Sequence, residues 1–213
     1  MYTHSYQVVT AGANLSQAEG ALVMIHGRGG SAQNIIGLAD ELNIPKLALY
    51  APQATNHSWY PYSFMAPEEQ NEPALSSALE TIDKLVKQII ADGIPANKIF
   101  FLGFSQGACL TSEYIARNAQ QYGGAVIFTG GVIGEELDLA NYKGDFKQTP
   151  VLLTTGDPDP HVPVTRVEET ADIFKKLNAD FTLQVYKGRP HTITMQELKL
   201  AKQYVFEKAS LNA

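Results

Sequence analysis

Residues 103–107 read Gly-Phe-Ser-Gln-Gly, directly after the apolar run Lys98-Ile-Phe-Phe-Leu102 and directly before a helix-like stretch. A serine at the apex of a strand–turn–helix bend stands with its hydroxyl exposed above the sheet edge, placed to attack a carbonyl carbon. The flanking glycines, Gly103 and Gly107, leave room where strand and helix must pack closely. The bare five-residue pattern arises by composition in roughly one chain in twenty of this length. Ser105 therefore needs a base, an acid and an oxyanion site elsewhere in the chain.

A serine hydroxyl is a weak nucleophile until a neighbouring base takes its proton, and on this kind of sheet the partners follow in the order serine, acid, histidine. Only His161 and His191 come after Ser105. His161 is too close to the acid candidates to be a separately placed base. His191 ends the loop Lys187-Gly-Arg-Pro-His191, after the last strand candidate and before the final helix. The acid belongs after the preceding strand, in Thr155-Gly-Asp-Pro-Asp-Pro-His-Val-Pro163. Asp157 and Asp159 are both available there, and spacing does not separate them. The oxyanion site needs two converging backbone N–H groups. Gln106, the first residue of the helix after the nucleophile, offers one, and the helix dipole adds to it. Arg28 offers the other, in the glycine-rich turn Ile25-His-Gly-Arg-Gly-Gly30. That turn lacks the lysine and spacing of a nucleotide-phosphate loop. His26 reads as a structural, hydrogen-bonded histidine, and Cys109, one turn into the helix, as a packing residue.

These residues need a scaffold, and the chain alternates short apolar runs with helical patterns. Strands are expected at Tyr6–Ala11, Ala21–His26, Lys46–Ala51, Lys98–Phe104, Ala125–Thr129, Val151–Thr155 and Phe181–Tyr186. Helices are expected at Ser31–Leu42, Ala74–Ala91, Gln106–Asn118, Thr165–Leu177 and Thr194–Ala209. The nearly continuous apolar strands are those of a sheet covered on both faces. The clearest helix carries Leu75, Leu79, Ile82, Val86, Ile89 and Ile90 as one stripe, with Pro73 before it and Gly93 after it. The pattern predicts an α/β architecture in three layers, a mostly parallel sheet of about seven strands with helices on both faces. Ligands bind such sheets beyond the carboxyl ends of the strands, where Ser105 falls. About twenty residues join the strands expected at 125–129 and 151–155, without a long apolar stripe, so no large cap domain is expected.

The 213 residues are 45% hydrophobic and 18% charged, the composition of one globular domain spanning 1–213. A net charge of −6 argues against nucleic acid or anionic membrane as a partner. No apolar run is long enough to span a bilayer. Met1–Gln7 shows no basic start leading to an apolar stretch and cleavage site, and a lone cysteine excludes an internal disulfide. The expected location is therefore the cytoplasm. No histidine–carboxylate cluster has metal-ligand spacing, so neither a metal nor an organic cofactor is expected. The choice between a monomer and a homodimer is left open.

Four segments together resemble the α/β-hydrolases of the phospholipase/carboxylesterase type, a group that includes the acyl-protein thioesterases. They are His26-Gly-Arg-Gly29, the pentapeptide at 103–107, residues 156–163 and the late loop histidine His191. The resemblance covers nearly the whole chain and implies an α/β-hydrolase fold with Asp159, in Gly-x-x-Asp-Pro-x-Val-Pro, as the triad acid and Asp157 as the fallback. The implied function is a serine hydrolase of carboxylic esters or thioesters, acting through an acyl-enzyme. A small-molecule ester or thioester is its substrate. Lysophospholipase or acyl-protein thioesterase activity is one alternative and a non-catalytic α/β-hydrolase-like binding protein the other. A dienelactone-type hydrolase would carry a cysteine where Ser105 stands. Two segments depart from the better-known members. Arg28 and Gly30 replace an apolar residue and an aspartate at the glycine turn, and His161 replaces an apolar residue after Asp-Pro. The expected pocket is thus more polar than a long acyl chain favours, with His161 among the substrate-binding residues. Arg28 is expected either to meet substrate or to turn towards a surface carboxylate. The long loop Gln53–Glu72 contains Trp59, which could either wall the pocket or anchor the loop.

Overall fold

The computed structural model describes residues 2–210. Seven strands form one sheet: β1 (Val8–Gly12), β2 (Gly20–Ile25), β3 (Leu47–Pro52), β4 (Ile99–Phe104), β5 (Gly124–Phe128), β6 (Pro150–Asp157) and β7 (Asp180–Lys187). Their order is β1-β3-β2-β4-β5-β6-β7, with β1 antiparallel to β3 and every other pair parallel. The crossovers carry helices α1 (Ala32–Ile36), α2 (Leu38–Leu42), α3 (Glu68–Asn71), α4 (Ala74–Ala91), α5 (Gln106–Arg117) and α6 (Val164–Lys176), and α7 (Met195–Ala201) and α8 (Glu207–Ser210) follow β7.

Alternation along the strands makes three layers, because successive side chains point to opposite faces. On one face Ala21, Val23, Ile25 and Phe101 pack with Leu75 and Ile82 of α4, Leu110 and Ile115 of α5, and Val167 and Phe174 of α6. On the other, Leu22, Met24, Leu102 and Val126 pack with Ile35 of α1, Leu42 of α2, Leu198 of α7 and Val205. The sheet's middle, where β4 lies between β2 and β5, is buried on both sides. That explains the unbroken apolar runs in the sequence.

Two expected helices are interrupted. The segment expected as one helix at 31–42 breaks at Gly37, which ends α1 and begins α2; glycine is a weak helix former. The helix expected over 194–209 holds one π-turn, Lys202–Phe206, between α7 and α8. The β5–β6 connection contains one short 3-10 turn, Leu139–Asn141, and no long helix. Two buried side chains hold it. The Glu113 carboxylate of α5 accepts the Ile133 N–H at 2.8 Å and the Tyr142 hydroxyl at 3.1 Å. The Arg166 guanidinium of α6 donates to the carbonyls of Val132, Gly134 and Glu135.

Candidate active site

Ser105 stands between β4 and α5 with φ 54° and ψ −119°, a region of backbone space that non-glycine residues avoid at a cost of about 1–3 kcal/mol. The surroundings hold it there. Its N–H donates to the Phe128 carbonyl of β5 at 3.0 Å, and its carbonyl accepts the Cys109 N–H of α5 at 2.9 Å. Both elbow glycines are steric necessities. A Cβ on Gly107 would lie 2.1 Å from the Ile25 carbonyl oxygen of β2, and one on Gly103 would lie 2.4 Å from the Gly107 carbonyl oxygen.

His191 comes from the β7–α7 connection and Asp159 from the turn after β6. The His191 ring lies between them and Ser105. Nδ1 is 2.8 Å from Asp159 Oδ2, and Nε2 is 2.8 Å from Ser105 Oγ. An ionised carboxylate only accepts, so Nδ1 carries the proton and Nε2 accepts from the serine hydroxyl. Asp159 Oδ1 accepts the N–H groups of His161 (2.9 Å) and Val162 (3.0 Å). Burial pushes the Asp159 carboxyl up, but the His161 N–H, the His191 ring and the Val162 N–H together hold it below the ordinary carboxylate value. Asp157 is exposed at the end of β6, and among the described residues its carboxylate makes no hydrogen bond. The choice that spacing left open thus falls on Asp159 by geometry: it alone of the two meets His191. The imidazole is packed between Phe104 (ring centroids 5.3 Å apart) and His161 (5.0 Å, edge to face).

The glycine turn after β2 abuts the serine: a Cβ on Gly27 would lie 3.3 Å from Ser105 Cβ. Gly29 takes φ +75°, the left-handed conformation that such a turn requires. Two neighbours pin this turn. The Gly29 N–H donates to the His57 carbonyl at 2.7 Å. The His26 Nδ1–H donates to the Gly27 carbonyl at 2.7 Å while Nε2 accepts the Ala54 N–H at 3.1 Å. Burial pushes the His26 imidazole towards its neutral form. Among the described residues the Arg28 N–H has no hydrogen-bond partner, and the Gln106 N–H opens α5, where the first N–H groups lack intrahelical acceptors.

The two oxyanion candidates also carry side-chain roles that the sequence did not disclose. Among the described residues the Arg28 guanidinium meets no carboxylate. It donates to Ser58 Oγ (3.0 Å) and to the carbonyls of Pro61 (2.9 Å) and Tyr62 (2.7 Å). The Gln106 amide accepts the Trp59 N–H and donates to the Tyr60 carbonyl, both at 2.8 Å. Together they fasten the loop at 58–62 over the elbow. Trp59 does not wall the site. It is fully buried, its Nε1–H donates to the His26 carbonyl at 2.9 Å, and its ring lies between those of His4 and His26. The wall expected of Trp59 is formed instead by Tyr60, Tyr62 and Phe64. An aromatic-rich loop in a sequence gives no sign of which ring turns inward.

The resulting cleft has a volume of about 630 Å³, with Ser105 and His191 at its base and Arg28 and His161 among its lining. The Cys109 thiol also borders it, but burial pushes that thiol up to about 12, so it stays protonated. A second cavity, of about 570 Å³, lies at the opposite, amino-terminal end of the strands and includes none of these residues. Among the described residues no three histidine, cysteine or carboxylate side chains cluster as metal ligands, and no helix is long and apolar enough to cross a membrane.

Comparison with known proteins gives concordant matches. The family model described as phospholipase/carboxylesterase matches residues 4–208. Acyl-protein thioesterase 1 of Debaryomyces hansenii is 29% identical over 220 residues, covering 92% of this chain and 94% of the relative. Carboxylesterase SOBER1 of Arabidopsis thaliana is 24% identical over 157 residues, covering 71% and 68%. Among solved structures, a phospholipase/carboxylesterase from Dyadobacter fermentans superposes with a TM-score of 0.96 at 57% identity, covering 97% of this chain and 99% of that one.

Proposed function

The chain belongs to the phospholipase/carboxylesterase family and is a hydrolase of carboxylic ester or thioester bonds, and from that premise we propose that Ser105, His191 and Asp159 are its catalytic triad and small esters its substrates. The carrying observation is the hydrogen-bonded chain from Asp159 through His191 to Ser105, 2.8 Å at each step.

Ser105 Oγ attacks the acyl carbonyl as its proton passes to His191 Nε2. Asp159 keeps Nδ1 protonated and stabilises the imidazolium that forms. The carbonyl oxygen, now negative, accepts the N–H groups of Arg28 and Gln106. His191 then gives its proton to the departing oxygen or sulfur, leaving the acyl group on Ser105. Water enters, loses a proton to His191 and attacks the acyl carbon. The proton returns to Ser105 Oγ as the carboxylic acid leaves.

The open rim of the cleft supports small substrates. Tyr62 at its wall is 57% exposed, and the β5–β6 connection is tied down by Glu113 and Arg166 rather than folded over the site. Arg28 and His161 give the lining polar groups, and His161 is read as a contact for the substrate. A second reading, thioester cleavage on acylated proteins, is favoured by the match to acyl-protein thioesterase 1 over most of both chains. The same attack serves a thioester, and an open cleft admits a surface-presented one. Ser105, Asp159 and His191 meet within one sheet, which supports reading 1–213 as one catalytic domain. The lone buried thiol suits the cytoplasm.

The test is a substrate panel of nitrophenyl esters from acetyl to palmitoyl, acyl thioesters and a lysophospholipid, with Ser105→Ala as control. Acetyl to butyryl esters should give the highest kcat/KM, falling about tenfold or more by lauroyl, about the discrimination pocket fit supplies. A preference for palmitoyl or lysophospholipid substrates contradicts the small-ester reading.

A further inference from the structure

Behind His191 lies a buried ion pair that the steps above do not use. Arg189 is 7% exposed, although it sits in the short connection that carries His191. Its guanidinium reaches back onto its own loop. Nη1 donates to the carbonyl of Pro190 at 2.9 Å and to that of Thr192, so it grips the residues immediately before and after His191. Nη2 donates to Thr129 Oγ1 at 2.6 Å and lies 3.6 Å from Glu197 Oε1.

Each of these anchors is itself fixed. Thr129 follows β5 with φ +59°, and its N–H donates to the Thr154 carbonyl at 2.7 Å. Glu197 is fully buried. Its Oε1 accepts the Thr154 hydroxyl of β6 at 2.5 Å, and its Oε2 accepts the Thr194 N–H and hydroxyl that cap α7. The loop backbone also presses on β6, where a Cβ on Gly156 would lie 2.4 Å from the Arg189 carbonyl oxygen. The sheet and the last helix are thereby connected to the two peptide carbonyls that bracket the imidazole.

A buried charge pair is weak evidence for stability, because desolvation offsets its attraction. Arg189 also leaves its Nε–H without a partner among the described residues, a further unfavourable contribution. We propose that Arg189 is a positioning residue for His191: anchored by Glu197 and Thr129, it clamps the carbonyls of Pro190 and Thr192 and so sets the angle at which the imidazole meets both Ser105 and Asp159. Outer partners of this kind fix the ring orientation of working histidines elsewhere. The proposal rests on the reading of His191 as the base.

Arg189→Lys, Arg189→Ala and His191→Ala are assayed on nitrophenyl acetate, with thermal melts on each. A displaced base costs on the order of a hundredfold in rate. Both Arg189 variants should therefore lose about ten- to a hundredfold in kcat with KM within about twofold. Lysine should fail to substitute, since one ammonium lacks the planar fork. Added methylguanidinium should restore part of the rate of Arg189→Ala and none of that of His191→Ala. Folded Arg189 variants within threefold of the native kcat, with His191→Ala inactive, overturn the clamp alone; an active His191→Ala overturns the base assignment. Should the Arg189 variants not fold, Thr129→Val carries the test, since it removes one anchor and keeps the guanidinium. A fall in kcat of about threefold or more at constant KM supports the clamp, and an unchanged kcat overturns it.

Discussion

Ser105, His191 and Asp159 are 86 and 32 residues apart along the chain and meet at hydrogen-bond distance. Replacing Ser105 or His191 by alanine should lower kcat by about a thousandfold or more, because triad members act as a unit; steady-state kinetics on nitrophenyl acetate will show it. The two aspartates give a sharper comparison. Asp159→Asn removes the acceptor that fixes the His191 tautomer, whereas Asp157→Asn changes an exposed carboxylate. The first should cost about a hundredfold or more in kcat and the second less than about threefold; the reverse order would move the acid to Asp157. Sequence order pointed to Ser105 and His191, which lie 2.8 Å apart in the structure. It left the acid open because two aspartates two residues apart occupy the same loop, and only the turn decides which carboxylate faces inward. Arg28 and Gln106 were read as backbone donors, and their side-chain clamps were not legible, because a side chain's acceptors lie in another loop.

Strand β4, helix α5 and the turn after β2 meet at Ser105, and their tolerance is small. Gly107→Ala places a methyl 2.1 Å from the Ile25 carbonyl of β2, so α5 must move away from the sheet. Activity should fall together with melting temperature, unlike the activity-only loss expected of Ser105→Ala. The β5–β6 connection depends on Glu113, which serves Arg117, Ile133 and Tyr142 from a fully buried position. Removing one partner of such a buried group costs about 3–5 kcal/mol. Glu113→Ala should show that loss in chemical denaturation, and a change below about 1 kcal/mol would mean that the connection is held elsewhere. At this scale the sequence was informative wherever periodicity ran unbroken, as in α4. It missed the break at Gly37 and the π-turn at Lys202–Phe206, because the apolar stripe there does not register a single weak helix former or one changed turn.

Over the whole molecule, the alternation of apolar runs and helical stripes was enough to read the three layers, because burial on both faces leaves its mark on every strand. The bracing between layers and loops was not readable, and it has a consequence for pH. His4 and His26 flank Trp59, and burial pushes both imidazoles below their ordinary value. Folded, they take up protons less readily than unfolded, so their contribution to stability is complete above about pH 6.5 and declines as the pH falls towards the lower folded values. Trp59 is the only tryptophan, so its fluorescence reports the loop that covers the elbow. Melting temperature should fall on going from about pH 7 to about pH 5, with Trp59 emission following the transition; a flat profile across that window contradicts the bracing. Every loss of activity expected here presupposes that the serine at the elbow is the reactive group. Fluorophosphonate labelling followed by peptide mass spectrometry tests that most directly. One phosphonate per chain is expected, on Ser105, abolished in Ser105→Ala and strongly slowed in His191→Ala. Folded protein that stays unlabelled, or carries the adduct on another residue, would contradict it.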